Sequence, residues 1–129
     1  MRLRERVFCG EQGAPRSLER DGLDDEAEHL LTRELAGNRA VGTLRLLVVG
    51  SQAKVGRVAV ESDWRGRGIA SRMLDVALER ARERGCSQAR LASQLTATAL
   101  YRRAGFSVQS RPFEEAGIAH VWMARRLGA

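Results

Sequence analysis

A glycine-rich turn between a strand and a long helix constrains this chain more than any other feature of its sequence. Residues 58–60 are apolar, residues 61–65 are mostly polar, and Gly66 and Gly68 flank an arginine before a helical pattern begins. A helix that starts at such a turn leaves several backbone N–H groups unpaired, with the positive end of the helix dipole behind them. Glycine has no Cβ and therefore lets a ligand approach the main chain closely. The pattern predicts a phosphate-binding cradle, and a tight connection without a ligand is the alternative.

The helix after this turn is predicted over residues 69–84, with Gly85 as a left-handed cap at its end. Its apolar side chains recur with helical spacing and form one stripe, made of Ile69, Met73, Val76, Ala77 and Ala81. Arginines are interleaved with glutamates through residues 79–84. Such a run is typical of a solvated helix face.

The rest of the chain predicts a mixed sheet around this unit. A helix is expected over residues 1–9, a loop over 11–25, and a short helix over 96–104 that is capped by Thr96. Apolar alternation predicts strands over residues 27–34, 41–49, 54–61, 88–93, 106–111 and 118–126, with a turn at 112–117. This order predicts one α/β (α+β) domain, residues 1–129, with helices on the faces of the sheet.

The composition limits the kind of partner and the compartment. The net charge is +6, carried almost entirely by arginine, and this charge suits nucleic acid, an anionic membrane or a polyanionic small molecule. No apolar run reaches the length of a membrane span, and residues 1–8 lack the apolar region of a signal peptide. Cys9 and Cys86 stand far apart and outside any metal-binding spacing. A cytoplasmic protein with free thiols and no metal site is therefore expected.

Two motifs in this sequence resemble those of the GNAT acetyltransferase superfamily. Arg65-x-x-Gly68-x-Ala70, preceded by a Val-Ala-Val strand, is similar to the acetyl-CoA signature of that superfamily. Downstream, Tyr101-Arg102-Arg103-Ala104-Gly105-Phe106 resembles its second signature, a helix that ends in Tyr-x-x-x-Gly-Phe. Both motifs occur in the family's order and at the family's separation.

Further segments resemble the ElaA-like branch of the superfamily and extend the likeness over nearly the whole chain. They are Arg6–Gln12, Glu19-x-Asp21, His29-Leu30 and Phe113-Glu114-x-x-Gly117-Ile118-x-His120. The resemblance implies a mostly antiparallel mixed sheet with helices on both faces. Because the chain begins inside the predicted first helix, the family's first strand is expected to be missing. An open sheet edge would make a homodimer plausible.

The resemblance also implies which residues hold acetyl-CoA. Backbone groups of Val58, Ala59 and Val60 would face the pantetheine and the acetyl carbonyl. A simple buried strand is the alternative for this stretch, and both can be true at once. Gln94 is the substitute for an asparagine that binds coenzyme A in the family. The pyrophosphate would lie on the main-chain amides of Arg65, Gly66, Arg67, Gly68, Ile69, Ala70 and Ser71.

The same resemblance makes Tyr101 the candidate general acid, because a phenol can protonate the departing thiolate. The alternative is a tyrosine whose ring only packs in the core. The general base is less clearly marked. Glu11, in the loop that usually walls the site of the amine substrate, is the first candidate; Glu61, His29, His120 and a water relay stay open.

These observations predict an N-acetyltransferase that moves an acetyl group from acetyl-CoA to a primary amine of a small molecule or protein. Direct attack in a ternary complex is expected. One alternative keeps the fold as a regulatory subunit that binds coenzyme A without catalysis. The other is a basic nucleic-acid-binding module, which the few aromatic side chains disfavour. Neither nucleic acid nor a membrane is expected as a partner.

Overall fold

The computed structural model describes residues 6–8, 19–20, 27–35 and 37–128, and the strands of this part of the chain form one sheet. The helices are α1 (Ile69–Glu83) and α2 (Thr98–Arg103), and single 3-10 turns cover Ser62–Trp64 and Leu95–Ala97. The strands are β1 (Arg6–Phe8), β2 (Glu19–Arg20), β3 (Ala27–Arg33), β4 (Ala40–Val49), β5 (Gln52–Val60), β6 (Gln88–Gln94), β7 (Ser107–Val108), β8 (Phe113–Glu115) and β9 (Ile118–Arg126).

The sheet is mixed and mostly antiparallel, as the sequence predicted. Its order is β1-β3-β4-β5-β6-β9-β7, with β2 also paired to β3 and β8 to β9. The pairs β1–β3 and β5–β6 are parallel, and the other pairs are antiparallel. Because parallel neighbours need a crossover, α1 connects β5 to β6.

Helix α1 covers the centre of the sheet with a wider apolar face than the predicted stripe. Leu74 and Leu78 join the predicted residues in the core, while Val76 is only half-buried. At Gly42 on β4, a Cβ would lie 3.1 Å from both Ile69 Cγ2 and Met73 Cε. The missing side chain therefore lets the start of α1 sit close to the sheet. Gly85 follows the helix with φ of 83°, as predicted for a C-cap.

The solvated face predicted for residues 79–84 is wrong for two arginines, Arg80 in α1 and Arg84 at its C-cap. Glu28 on β3 is fully buried, and Arg80 reaches it with two hydrogen bonds, from Nε at 3.2 Å and from Nη2 at 2.9 Å. Arg84 Nη1 donates a third at 2.8 Å. The buried carboxylate needs cationic donors, and these hold the two arginines against the sheet. Glu79 and Arg82 form an exposed pair, as expected for a solvated face.

The predicted helix over residues 1–9 is wrong at Arg6–Phe8, which forms β1; its other residues lie outside the described part of the chain. β1 pairs with Leu30–Thr32, and β2 pairs with Glu28 and His29. Backbone groups along this edge of β3 thus find partners in the sheet, and this pairing overrides the helical spacing of the side chains. The homodimer prediction rested on an open sheet edge, and this edge is paired where β1 and β2 lie along β3.

The region after β6 also departs from the sequence prediction. Helix α2 starts at Thr98 rather than at Thr96, and its N-cap, Ala97, offers no side-chain hydrogen bond. The strand predicted over residues 106–111 is only Ser107–Val108 long. The expected turn at residues 112–117 contains β8, which forms a hairpin with β9 around Ala116 and Gly117. Both loop residues have positive φ, of 54° and 78°, as in a type I′ turn.

Cys86 is a free, buried thiol, in agreement with the sequence, whereas Cys9 lies outside the described residues. Within the described ranges, neither α1 nor α2 has the length and apolar character that crossing a membrane requires.

Candidate active site

The candidate active site begins where two parallel strands stop pairing. β5 and β6 are in register from Gln52 opposite Gln88 to Val55 opposite Leu91, and their pairing ends there. β5 nevertheless stays paired to β4 as far as Val60, and β6 stays paired to β9 as far as Gln94. A gap therefore opens between the final residues of the two strands.

An irregularity in β5 accompanies the separation. The β4–β5 register shifts between Thr43 and Arg45, and Arg57 adopts a left-handed conformation with φ of 54°. The hydroxyl of Thr43 donates a hydrogen bond of 3.1 Å to the carbonyl oxygen of Arg57. A bulge of this kind bends a strand and increases its twist, which carries β5 away from β6.

The three predicted strand residues lie along this gap. Val58 and Val60 are half-buried against the core, whereas Ala59 is exposed, so the alternative of a simple buried strand does not hold for this stretch. All three residues line the cleft described below. Beyond Val55, the edge of β5 opposite β4 has no strand paired to it in the described sheet. A strand edge left in this way can pair with an extended ligand.

At the end of the gap, the turn before α1 is held by backbone and side-chain bonds. The N–H of Glu61 donates to the carbonyl oxygen of Val41 at 2.8 Å, and Arg65 Nε donates to the carbonyl oxygen of Val60 at 3.0 Å. Gly66 and Gly68 have φ of 79° and 77°, a conformation that favours glycine, and a Cβ at either would enter open space. The turn is thus fixed in place while its surface stays open.

The start of α1 presents free amide donors to the same space. Gly68 is the N-cap and provides no side-chain hydrogen bond, and the N–H of Arg72 donates to the carbonyl oxygen of Gly68 at 3.0 Å. The amides of Ile69, Ala70 and Ser71 precede this bond, and no helical carbonyl is available to them. Three such N–H groups, with the positive end of the helix dipole behind them, are able to bind an anion.

A single cleft of about 920 Å³ joins the gap, the turn and the start of α1. The predicted residues that line it are Val58, Ala59, Val60, Arg65, Gly66, Gly68, Ile69, Ala70, Ser71, Gln94 and Tyr101. Arg67 is not one of its lining residues, and its guanidinium lies over the ring of Trp64, 4.5 Å from the ring centroid. Glu11 lies outside the described residues.

Tyr101 contributes a buried phenol to the wall of the cleft. It belongs to α2, it is 7% exposed, and its ring meets that of Phe106 edge to face at 6.2 Å. No other described residue forms a hydrogen bond with its hydroxyl. Burial raises the pKa of Tyr101 above its ordinary value, so the phenol is protonated at neutral pH. The residue thus combines core packing with a proton donor at the cleft.

The remaining base candidates differ in position. Glu61 Oε1 forms an ion pair with Arg39 Nη1 at 3.2 Å, and Glu61 does not line the cleft. His29 on β3 does not line it either. His120 on β9 lines it. Glu115 on β8 also lines it, although the sequence pattern indicates only a turn over residues 112–117 and gives no sign of this residue's position.

The cleft is rich in positive charge. Lys54, Arg57, Arg65 and Arg103 line it, against the single carboxylate of Glu115 among its described lining residues. Trp122 forms part of the wall near Lys54, whose Nζ lies 5.5 Å from the ring centroid. Such a surface attracts a polyanion, and its apolar patches can hold an uncharged arm.

Comparison with known proteins agrees with this geometry. A family model described as an acetyltransferase (GNAT) domain matches residues 3–127. YjcF of Bacillus subtilis (strain 168), named an uncharacterized N-acetyltransferase, is 31% identical over 124 residues, which cover 95% of this chain and 87% of that protein. The crystal structure of Escherichia coli ElaA superimposes with a TM-score of 0.69 at 26% identity, over 81% of this chain and 73% of that one.

A GNAT family acetyltransferase from Elizabethkingia anophelis, solved with acetyl-CoA bound, has a TM-score of 0.64 at 17% identity. The superposition covers 78% of this chain and 76% of the chain of that protein, and at this identity the likeness is one of fold. The match of the family model over nearly the whole chain is the decisive finding, and the chain belongs to the GNAT acetyltransferase family.

Proposed function

We propose that this protein transfers the acetyl group of acetyl-CoA to a primary amine, on a small molecule or a protein, by direct attack in a ternary complex. One observation carries the proposal. The separated ends of β5 and β6, the uncapped start of α1 and the phenol of Tyr101 all border one cleft.

The turn and the start of α1 fit the diphosphate of the coenzyme. Gly66 and Gly68 present open backbone, and the amides of Ile69, Ala70 and Ser71 are free to donate. Main-chain amides from Arg65 onward, Arg67 included, would contribute to the same cradle. The Elizabethkingia protein, which shares the fold, was solved with acetyl-CoA bound, and this supports acetyl-CoA as the ligand.

The gap between the strands fits the extended arm that carries the thioester. The backbone of Val58, Ala59 and Val60 would pair with the amides of this arm as a neighbouring strand would. Gln94 lies on the opposite side of the gap, at the end of β6, and its side chain would provide a further polar contact. The bound coenzyme supplies an acetyl thioester. The strand holds it in a fixed position for attack by the amine.

Tyr101 would act as the general acid. Acetyl transfer creates a thiolate, which leaves more readily when a donor protonates it. The phenol holds its proton at neutral pH and borders the cleft, which gives it the protonation state and the access that this role requires. Glu11 is the base that the family resemblance favours, and it lies outside the described residues.

We further propose that residues 1–129 act as one acetyl-CoA-binding domain in the cytoplasm. A homodimer stays a prediction, although the pairing of β1 and β2 along β3 occupies the edge on which that prediction rested. Sedimentation of the purified protein would give its oligomeric state.

The test is a screen for acetyl transfer. Calorimetry would first measure the affinity for acetyl-CoA. A panel of polyamines, amino sugars, aromatic amines and peptides with free amino groups would then be tested for thiol release that depends on both substrates. Thiol release with an acetylated product supports the proposal. Tight binding of acetyl-CoA with no transfer would favour the regulatory subunit. Nucleic-acid binding with a steep salt dependence, and no affinity for acetyl-CoA, would favour the basic binding module.

A further inference from the structure

His120 faces the separated strands from the β9 side. It is paired with Gln94, the last residue of β6, and with Phe113 of β8. The β5–β6 pairing ends at Leu91, which lies three positions before Gln94 in the sequence, so His120 stands beside the open part of the gap. Its half-buried ring lines the same cleft as Tyr101.

One hydrogen bond fixes which ring nitrogen of His120 carries a proton. Nδ1 lies 2.8 Å from the carbonyl oxygen of Ile118. A carbonyl oxygen can only accept, so Nδ1 is the donor, and the lone pair of the neutral ring is on Nε2. The ring also stacks on Phe113, with centroids 5.9 Å apart and an angle of 24° between the planes. The imidazole is thus held in one tautomer with Nε2 free to take a proton.

The charged groups that line the cleft together with His120 come from four parts of the chain. They are Lys54 and Arg57 on β5, Arg65 in the turn before α1, Arg103 on α2 and Glu115 on β8. Glu61, a candidate for the general base whose position is described, forms an ion pair with Arg39.

We infer that His120 is the general base that deprotonates the amine substrate through Nε2, an inference that rests on the proposed function. An alkyl ammonium with a pKa of roughly 10.4, as in lysine, is almost fully charged at pH 7 and cannot attack. Nε2 takes one proton from the ammonium. The neutral nitrogen then bonds to the carbonyl carbon as the carbon–sulfur bond breaks.

The protons balance with Tyr101 as the acid. The departing sulfur takes the phenol proton and leaves as a thiol. The second proton lost from the nitrogen returns to Tyr101 through solvent, and the proton on His120 passes to water. An ammonium and a thioester thus yield an amide, a thiol and one released proton.

The first test uses the free protein and needs no turnover. The sequence has only two histidines, so nitrogen-detected NMR of the parent and of His29→Gln assigns both rings. The expected result for His120 is a proton on Nδ1 and an unprotonated Nε2 in the neutral form. The opposite tautomer would overturn the inference, whatever the activity of the protein.

The second test compares pH profiles for the fastest amine of the panel. The acidic limb of kcat/KM reports the base of the free enzyme, so its midpoint should coincide with the NMR titration of His120. His120→Asn removes the base, but its side-chain amide can still donate to the carbonyl oxygen of Ile118. This variant should lack the acidic limb, and its kcat/KM at pH 7 should be about 10²–10⁴-fold lower than that of the parent. Its affinity for acetyl-CoA should be unchanged.

Two controls separate the outcomes. His29→Gln should keep the limb, and Glu11→Gln tests the base that the family resemblance favours. If Glu11→Gln rather than His120→Asn removes the limb, Glu11 is the base and the inference is wrong. If amines are acetylated and His120→Asn keeps the parent profile, only the base assignment fails. If no amine of the panel is acetylated, the proposed function fails and the base assignment fails with it.

Discussion

Val55 and Leu91 are the last residues of β5 and β6 that face each other across the parallel pair. Up to these residues, β5 and β6 pair with each other. After them, β5 is paired only to β4, and β6 is paired only to β9. The cleft opens at this point, and a long helix starts at its rim. The fold therefore brings an extended backbone edge and a set of free helical amides into the same site.

Replacement of Tyr101 by phenylalanine separates its two roles. The phenylalanine ring can keep the edge-to-face contact with Phe106, and the described residues make no hydrogen bond to the lost hydroxyl. We expect thermal stability and acetyl-CoA affinity close to those of the parent, with turnover reduced by about 10²-fold or more. Steady-state thiol release, calorimetry and thermal melting test this together. Unchanged turnover would remove Tyr101 from the acid role.

Arg65 and Arg67 form a matched pair on either side of Gly66. Arg65 Nε bonds to the carbonyl oxygen of Val60 and ties the turn to the end of β5, whereas Arg67 lies on Trp64. A hydrogen bond from a charged group contributes about 1.5–3 kcal/mol. We expect Arg65→Ala to weaken acetyl-CoA binding about tenfold and Arg67→Ala to weaken it less. Calorimetry on both variants measures the difference, and a larger loss for Arg67→Ala would mean that its side chain leaves Trp64 to bind the ligand.

The buried carboxylate of Glu28 should be a major contributor to stability. Glu28→Gln removes the charge that Arg80 and Arg84 share, and the loss of one partner of a buried ion pair costs about 3–5 kcal/mol. Both arginine side chains keep some exposure, of 19% and 26%, which favours the lower end of that range. Urea denaturation at pH 7 measures the loss.

Glu79→Gln is the control for that variant. Glu79 lies on α1, the helix that carries Arg80, and pairs with Arg82 at 3.0 Å, but its side chain is 61% exposed. Exposed pairs on a helix contribute at most about 0.5 kcal/mol. Equal losses of stability for the two variants would contradict the assigned importance of the buried carboxylate.

Because the pKa of Glu28 is lowered, we expect the folded protein to lose stability in acid. Burial raises the pKa of Glu28, but the hydrogen bonds and charges of Arg80 and Arg84 outweigh burial, and the net pKa is below its ordinary value. A lowered folded pKa contributes stability above the unfolded value of roughly 4.3, and this contribution is lost as pH falls through the folded pKa. The difference in unfolding free energy between the parent and Glu28→Gln should therefore be constant from pH 7 to about 5.5 and shrink below about 4.3. A difference that grows in acid would contradict this sign.

Local patterns predicted the secondary structure along one side of the cleft. The strand, the turn at Gly66 and Gly68, and the helix that follows lie within one continuous stretch, and their side-chain spacing and glycines determine their conformations locally. The residues predicted to form the cradle line one cleft, apart from Arg67. The sequence spacing cannot show that Arg67 has an aromatic partner three positions earlier, at Trp64.

Features that depend on distant pairing could not be predicted in this way. Arg6–Phe8 has a helical side-chain pattern but becomes a strand, because β3 offers it backbone partners. Arg80 resembles a solvated arginine until Glu28, 52 positions earlier, is placed beneath it. Glu115 was missed because its hairpin turns through Ala116 at positive φ, where alanine is an unusual residue.

Binding of acetyl-CoA to Gly68→Glu, measured by calorimetry, tests the central claim most directly. The new side chain would enter open space at the start of α1, and its negative charge would repel a phosphate there. Gly50→Glu is the matched control, since Gly50 also has a positive φ, of 60°, and open space around it, but lies in the turn between β4 and β5. We predict that Gly50→Glu binds acetyl-CoA like the parent and that Gly68→Glu, although folded, binds at least about a hundredfold more weakly. Parent-like affinity in Gly68→Glu would contradict the assignment of this helix start as the phosphate cradle.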